Sequence, residues 1–248
     1  MSLSFQVPNG PVQTPHKRDP RVPVVCHGFM FSNLIDRVWL FGGYPVGQNV
    51  TQIPNNIWRF QPLNSKTWEE VPLQSNGTSF RPYRGVGCNV PKLQKGYYLD
   101  RLGGHPDDPE HLHWLHEFDM KTETIQSFPV PGYVPVVNQS LVFLDTGSRK
   151  GALFALGGSV EKDGVLTTAP LTSVFILDIE SRKWIEQPVT GLLGDLSEDG
   201  TVSVGPPDGG IPRSRVSACA AVGTAQDKTS HNIFYMGGTN ETKAVTSV

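Results

Sequence analysis

The sequence predicts an all-β fold made of repeated modules of short strands, and three observations support this class. A double glycine follows an apolar run four times, at residues 42–43, 103–104, 157–158 and 237–238. An aromatic-rich segment follows each of the first three double glycines along the chain. Glycine (26 residues) and proline (21 residues) are frequent, and no segment sustains a 3.6-residue apolar period, so we expect many turns and almost no helix.

Each repeat has the pattern of four strands, A to D. Strand A is a Val-, Cys- and Gly-rich segment, strand B is the apolar run before the double glycine, and strand C is aromatic-rich, as in "VFILD" at 174–178. Strand D begins near Trp68, Ile125 or Trp184, after Asp-, Asn- and Ser-containing segments typical of tight turns. The double glycine indicates a place where two backbones approach closely.

These residues resemble the kelch repeat, which is marked by a double glycine after a hydrophobic strand and by a downstream Trp. The resemblance covers nearly the whole chain, and "IPRSRVSACAAV" and the "SHNI" before the last double glycine are most similar to fungal kelch proteins. The second repeat departs from the pattern, with Ile125 in the place of the Trp. The positions that carry the motif are Gly42, Gly43, Trp68, Gly103, Gly104, Gly157, Gly158, Trp184, Gly237 and Gly238.

The resemblance implies a kelch-type β-propeller, in which four-stranded blades surround a channel. We expect one domain over 1–248, an open or partial arc of about three to four blades. The segments are 1–20 (a strand D and loop of a preceding blade), 21–72, 81–130 and 133–189 (three blades), and 213–248 (the first half of a blade). The arc is either a piece of a larger propeller or a ring whose two ends complete a fourth blade. Open blade edges can pair with another chain.

The predicted topology places the B–C and D–A loops on one face, and these include the longest loops, at 159–173 and 189–212. A rigid scaffold that displays variable loops is a common binding design. We therefore expect a non-enzymatic interaction scaffold that binds a protein or glycan through this face. The alternative is a secreted enzyme similar to galactose oxidase, a resemblance that implies copper held by His, Tyr and Cys, although no matched pair of His is evident.

Four histidines lie between residues 102 and 120, among several carboxylates, in the second predicted B–C loop. His116 aligns with Phe175, so we predict that it lies half-buried in strand C. A His-x-His pair can hold zinc with a third ligand, but a solvated polar loop explains the stretch better, and we predict no metal, cofactor or catalytic residue. Arginines at the D–A loop ends can meet an acidic partner or form ion pairs between blades. The binding-face candidates are Arg81, Arg84, His105, Asp107, Asp108, Glu110, His111, His113, Arg213 and Arg215.

Three cysteines are too few for a disulfide framework. Cys26, Cys88 and Cys219 all fall in strand A, where we predict that they pack as small buried hydrophobic residues. Cys88 and Cys219 each follow an arginine by the same spacing, which predicts equivalent positions in two blades. The Trp that marks each matching repeat is predicted to pack between blades.

Charge and hydropathy exclude two classes of partner. A net charge of −2 gives no concentrated basic surface for nucleic acid, and no apolar run is long enough to span a membrane. The first residues lack the apolar core of a signal peptide. Similar fungal proteins are often predicted to be secreted or anchored to a membrane, so the compartment stays open. Candidate glycosylation sites are Asn49, Asn76, Asn138 and Asn240.

Overall fold

The structure is a computed structural model that describes most of the chain. The residues it describes are 19–26, 28–45, 56–64, 67–75, 85–100, 114–130, 136–162, 165–189, 194–196, 202–204, 215–239 and 243–244. Within these residues the chain forms β-strands and one short 3₁₀ turn, with no α-helix. None of the described helical residues forms a helix long and apolar enough to cross a membrane.

The strands are short and follow one another closely along the chain. The first eleven are β1 (Val25–Cys26), β2 (Phe29–Ser32), β3 (Val38–Phe41), β4 (Tyr44–Pro45), β5 (Asn56–Phe60), β6 (Trp68–Pro72), β7 (Gln74–Ser75), β8 (Val86–Val90), β9 (Lys95–Asp100), β10 (Trp114–Asp119) and β11 (Thr124–Pro129). The next seven are β12 (Val136–Val137), β13 (Ser140–Leu144), β14 (Ala152–Leu156), β15 (Ser159–Lys162), β16 (Val165–Thr168), β17 (Ser173–Asp178) and β18 (Lys183–Pro188). The last five are β19 (Gly194–Leu196), β20 (Val202–Val204), β21 (Val216–Thr224), β22 (His231–Thr239) and β23 (Lys243–Ala244). The 3₁₀ turn, Pro91–Leu93, joins β8 to β9.

Three antiparallel meanders of four strands form blades of a kelch-type β-propeller. Blade 1 is β2-β3-β5-β6, blade 2 is β8-β9-β10-β11, and blade 3 is β13-β14-β17-β18. The terminal hairpin, β21-β22, has the first two strands of a further blade. Strand β7 lies parallel to β11 and extends blade 2 by a fifth strand at its outer edge. The predicted class, a partial arc of four-stranded blades, is therefore confirmed.

The first strands of the four sheets lie side by side. Strand β2 contacts β8, β8 contacts β13, and β13 contacts β21. We call these four the inner strands. Their sequential contact, with the last strand of each blade on the outside, is the arrangement of a propeller around its axis.

Hydrophobic clusters fill the seams between neighbouring sheets. The seam of blades 1 and 2 contains Phe31, Trp39, Phe41, Ile57, Tyr98, Phe118, Met120 and Ile125. The seam of blades 2 and 3 contains Cys88, Val90, Tyr97, Leu99, Leu115, Val130, Leu141, Leu153, Ala155, Leu177 and Ile179. The seam of blade 3 and the terminal hairpin contains Val142, Leu144 and Leu156, with Phe154, Val174, Ala220, Val222, Ile233 and Tyr235 packed against them. Each blade therefore uses one face toward the preceding blade and the other toward the following one, as strand alternation requires.

Glycines admit aromatic rings into the first seam. A Cβ at Gly87 would lie 2.2 Å from the ring of Phe29, and one at Gly96 would lie 2.3 Å from the ring of Phe31. Both rings come from blade 1 and both glycines from blade 2, so the bare backbone of blade 2 is the surface on which blade 1 packs.

The register aligns the three blades position by position. In each blade, one strand C residue pairs on one side with the predicted Trp position of strand D and on the other side with a residue of strand B. These strand B residues are Val38 in blade 1, Gly96 in blade 2 and Leu153 in blade 3. The residue that follows this position in strand B is aromatic in every blade. In the terminal hairpin, Phe234 holds the equivalent position, because it stands three residues before the double glycine, as Trp39 and Phe154 do. These aromatic residues are Trp39, Tyr97, Phe154 and Phe234.

Candidate binding site

A cavity of about 390 Å³ lies between the inner strands. All four inner strands contribute to its wall, so the cavity lies on the propeller axis. Its lining is mostly apolar side chains and main chain, with Asn89 as the polar side chain. The lining residues are Phe29, Gly87, Cys88, Asn89, Leu141, Val142, Phe143, Ala220, Ala221 and Val222.

Hydrogen bonds between the inner strands fix this wall. The side-chain oxygen of Asn89 accepts a hydrogen bond from the Ser32 amide at 3.0 Å, which joins β8 to β2. The Ser140 hydroxyl donates to the carbonyl oxygen of Ala218 at 2.6 Å, and the Ser217 amide donates to the carbonyl oxygen of Asn138 at 2.8 Å. Polar groups near the axis are thus engaged in holding blades together.

The double glycines lie at the end of the arc where the inner strands begin, which we call the B–C end. Both glycines of each described pair have positive φ, for example 61° and 93° at Gly157 and Gly158. A Cβ at Gly157 would lie 2.0 Å from the Tyr235 hydroxyl and 2.8 Å from the Arg215 carbonyl oxygen. The Gly158 amide donates to that same carbonyl at 2.8 Å. The motif therefore joins blade 3 to the terminal hairpin.

The second double glycine differs from the others. The register aligns Leu99 with Phe41 and Leu156, so Asp100 stands where those strands continue into Gly42 and Gly157. Two residues, Arg101 and Leu102, separate Asp100 from the double glycine at 103–104, which lies outside the described residues.

Arg215 is the one predicted binding-face residue that the structure describes. It is exposed, and its guanidinium donates to the carbonyl oxygen of Gly237 at 2.9 Å. Its own carbonyl accepts from the Tyr235 hydroxyl at 2.9 Å. Its described hydrogen bonds are thus with the Gly158 amide of blade 3 and with Gly237 and Tyr235 of the terminal hairpin. The other candidates, Arg81, Arg84, His105, Asp107, Asp108, Glu110, His111, His113 and Arg213, lie outside the described residues.

An additional four-stranded sheet stands at the B–C end. Its order is β12-β15-β16-β23, with antiparallel pairing throughout. The prediction that 159–173 is a loop is therefore wrong in part, because strands β15 and β16 lie within this segment and pair with each other. The sequence contained a signal for it: Asp163–Gly164 separates two β-prone runs, and an Asp-Gly pair is typical of a two-residue hairpin turn. The predicted irregular segment 189–212 likewise contains the paired strands β19 and β20.

His116 lies in strand β10, at the register position of Phe175, as predicted. It is 2% exposed, more buried than the predicted half-buried state, because it faces the seam of blades 1 and 2. Its Nδ1 lies 2.8 Å from the Ser127 hydroxyl, and its ring lies near Phe41 and Tyr98. His116 therefore has a packing position within the sheet. Among the described residues, no three His, Cys, Asp or Glu side chains are grouped to hold a metal ion.

The two cysteines whose side chains are described differ in burial. Cys88 is buried, and burial raises the pKa of its thiol to about 12. Cys219 is exposed, so the prediction that it is buried is wrong. The predicted equivalence is also wrong, since Cys88 pairs with Tyr97 whereas Cys219 pairs with Met236, two positions further along strand B. The side chain of Cys26 lies outside the described residues.

The described tryptophans of the motif occupy different surroundings. Trp184 packs against the seam of blades 2 and 3. Trp68 contacts Phe60, with ring centroids 5.2 Å apart and the ring planes tilted by 31°, on the face of blade 1 that points away from blade 2. Of the glycosylation candidates, Asn138 is described and exposed, and Asn49, Asn76 and Asn240 lie outside the described residues.

A charged network at the opposite end of the seams was not predicted. The Glu123 carboxylate accepts from Trp39 Nε1 at 3.0 Å and from Arg59 Nη1 at 2.8 Å, and so joins the C–D turn of blade 2 to blade 1. Arg182 holds the same turn position in blade 3 and lies over the Phe128 ring of blade 2, 3.5 Å from its centroid. Both turn residues have positive φ, 56° and 58°. The sequence signal is a long polar residue two positions before the Trp position.

The turn aspartates anchor the C–D connections. Partial burial acts to raise the pKa of Asp119, but hydrogen bonds from Lys95 and from the amides of Thr122 and Lys121 outweigh it and lower the pKa from 3.8 to about 2. Hydrogen bonds from Ser181, with a contribution from Ser148, lower the pKa of Asp178 to about 2. Both carboxylates are therefore ionised at neutral pH and fix their turns.

Known proteins similar to this chain include a fungal kelch-repeat protein and two solved structures. The chain is 22% identical to a "Kelch repeat-containing protein" of Arthroderma benhamiae, over 88% of this chain and 36% of that protein. Among solved structures it is similar to YjhT (16% identity, TM-score 0.46, 82% of this chain and 57% of that one). It is also similar to the α-L-arabinofuranosidase Arb93A of Fusarium graminearum (12% identity, TM-score 0.44, 81% and 49%). No protein-family profile matches the chain.

The fold and the repeats together define a kelch-type propeller arc. The predicted resemblance to kelch-repeat proteins is confirmed by the match to the Arthroderma benhamiae protein. The chain spans about a third of the length of that curated relative and about half of the two solved structures.

Proposed function

We propose that this chain is a non-enzymatic interaction module that binds a protein or glycan partner at the B–C end. The observation that carries the proposal is the additional sheet β12-β15-β16-β23. This sheet contains part of a long connection of blade 3, and it joins that connection to β12, which precedes blade 3, and to β23, which follows the terminal hairpin. An ordered platform loses less conformational entropy on binding than a free loop, which favours recognition.

The axial cavity supports the same assignment. Its wall is main chain and apolar side chains, and its polar member, Asn89, already bonds to β2. Such a lining offers surface for contact rather than a general base or nucleophile held in place. The platform and the cavity therefore supply shape, and side chains at the B–C end supply selectivity.

A shortened hairpin tests the proposal. Val160 pairs with Thr167, so deleting residues 161, 162, 165 and 166 keeps Asp163 and Gly164 in the sequence between the shortened strands and removes the pairing with β23. The matched control is Lys121→Ala with Arg149→Ala, which removes two exposed charges from the opposite end. Glycan arrays and a panel of purified extracellular proteins identify ligands of the wild-type chain, and titration calorimetry compares the three proteins.

We expect the shortened hairpin to weaken binding about tenfold or more, with the control within about twofold. Circular dichroism must show the same strand content in all three proteins. Equal loss in the control, or no loss in the hairpin variant, contradicts a binding face at the B–C end. Stoichiometric copper or zinc in the purified protein, with turnover of a substrate, contradicts the non-enzymatic assignment.

A further inference from the structure

Three large aliphatic side chains are exposed in the turns of blade 1. Leu34 and Ile35, in the turn between β2 and β3, are 75% and 71% exposed, and Leu63, in the turn between β5 and β6, is 72% exposed. The A–B and C–D turns lie at the end opposite to the B–C end, which we call the A–B end. Because two strand spacings, about 10 Å, separate the two turns of a blade, these three side chains form one surface, the apolar patch.

This exposure is a property of the turns rather than of a position at the end of the arc. In blade 2, which has a blade on each side, Lys121 and Thr122 of the C–D turn are exposed. In blade 3, which lies between blade 2 and the terminal hairpin, the side chain of Arg149 in the A–B turn is 92% exposed. The tips of the turns therefore project beyond the seams, whatever packs against the sheet faces.

The turn that carries Leu34 and Ile35 is held in one conformation by Asn33. Asn33 is 8% exposed, and its Oδ1 accepts hydrogen bonds from the amides of the residues two, three and four positions further on, at 3.0, 3.1 and 3.0 Å. The Leu34 amide donates to the Ser32 hydroxyl at 3.1 Å. A turn that is already ordered loses little conformational entropy when its side chains bind a partner.

Leu34 has a left-handed backbone conformation, with a φ of 59°. Glycine and asparagine adopt this conformation at a lower cost than a branched aliphatic residue does. Among the described non-glycine residues with positive φ, Leu34 is the apolar one. The turn thus holds a leucine where both the backbone and the solvent favour asparagine, and a contact with an apolar partner explains that cost.

The charged side chains of the A–B end leave cations facing solvent beside the apolar patch. Each carboxylate in the described turns accepts a hydrogen bond from a donor of the protein itself. The pairs are Asp36 with Asn33, Glu123 with Arg59, Asp145 with Lys92, Glu180 with Arg149 and Asp227 with Thr229. Lys121, Lys150 and Lys183 are exposed, and they have no ion-pair partner among the residues that the structure describes.

We propose that the A–B end docks on an anionic lipid surface, with the apolar patch inserted below the headgroups and the free lysines against the lipid phosphates and carboxylates. Exposed apolar area and nearby cations are the two components that attract a protein to such a surface. The lysines are spread over the turns of blades 2 and 3, which fits an extended, flat partner better than a narrow groove. The proposal does not depend on the ligand-binding function at the B–C end, which would face away from the membrane.

Co-sedimentation with lipid vesicles tests the apolar patch. We expect binding to vesicles of equal parts phosphatidylcholine and phosphatidylserine. Leu34→Asn combined with Ile35→Gln and Leu63→Gln should weaken it about tenfold or more, and asparagine keeps the backbone conformation of the turn. Val24→Gln is the control, because Val24 is an exposed aliphatic residue (40%) at the B–C end, and its binding should stay within about twofold of wild type. Circular dichroism must show the same strand content in all variants.

A second pair of variants tests the cations. Lys150→Ala with Lys183→Ala should weaken binding to the mixed vesicles about tenfold, because each cation near an anionic surface adds to the attraction. Lys150→Arg with Lys183→Arg keeps both charges and should bind as the wild type does. Vesicles of phosphatidylcholine alone should bind all of these proteins equally weakly.

Four outcomes overturn the proposal. The first is no binding to the mixed vesicles at any lipid concentration, and the second is binding that the triple variant leaves unchanged. The third is an equal loss in Val24→Gln. The fourth is concentration-dependent self-association in sedimentation velocity without vesicles that the triple variant abolishes, which would make the apolar patch a contact between copies of the chain. Ligand titrations at the B–C end contain no vesicles, so failure of that function is distinguishable from failure of lipid docking.

Discussion

The seam between blades 1 and 2 and the terminal hairpin have the same strand pattern but opposite exposure. At one strand B position, Trp39 is 0% exposed in the seam and Phe234 is 54% exposed in the hairpin. Two residues on, Phe41 is 2% exposed and Met236 is 57% exposed. The repeat therefore specifies which side chains can form a seam, and the neighbouring sheet decides whether they do.

The largest contrast should come from truncating this shared aromatic position. Trp39→Ala should lower the free energy of unfolding by about 3–5 kcal/mol, since it leaves a cavity in a packed core. Phe234→Ala should lower it by less than about 1 kcal/mol, because an exposed side chain loses little burial. Urea denaturation of both variants at low protein concentration measures the difference. Equal losses would mean that Phe234 is covered in the isolated molecule.

The aromatic positions show how far the sequence determines the fold. Double glycines and strand alternation were sufficient to predict blades, since these signals are local. The exposure of Phe234 and Cys219 was not predictable, because it depends on whether a following sheet is present. The hairpin β15–β16 has a local sequence signal, Asp163–Gly164, from which it could have been predicted. Its pairing with β23 joins distant residues and has no local pattern. The candidate site was accordingly predicted as a face of the propeller rather than as a set of contacts.

The second contrast concerns charge at the seam. Glu123→Ala removes the acceptor of both Trp39 Nε1 and Arg59 Nη1 in a partly buried place, and should cost about 2–3 kcal/mol of unfolding free energy. Arg149→Ala breaks the pair with Glu180, in which the arginine side chain is 92% exposed. That change should cost less than about 0.5 kcal/mol, as surface pairs usually do. A cost for Arg149→Ala equal to that for Glu123→Ala would remove the distinction between seam and surface.

The third contrast uses pH at the two turn aspartates. The folded pKa of Asp119 is lowered to about 2 from 3.8, so its stabilisation is present above pH 4 and is lost as the pH falls toward 2. Asp119→Asn should therefore destabilise the protein by about 1–2 kcal/mol at pH 7 and by much less near pH 2. Asp178→Asn, at the equivalent turn, should show the same pH window with a smaller effect, since the pKa of Asp178 is lowered by hydrogen bonds from Ser181 and Ser148 rather than from a charged lysine. Urea titrations at several pH values test both, and an Asp119→Asn effect that persists at pH 2 would argue against an ionic cause.

The smallest effect concerns the rates at which the two described cysteines react with a thiol reagent, a measurement that involves no change in stability. Cys88 is buried between blades with a pKa of about 12, whereas Cys219 is exposed. Because the thiolate is the reactive form, a thiol reagent at pH 8 should label Cys219 rapidly and Cys88 only after unfolding, in a Cys26→Ser background. Rapid labelling of Cys88 in the folded protein would show that the seam opens, and slow labelling of Cys219 would contradict its exposure.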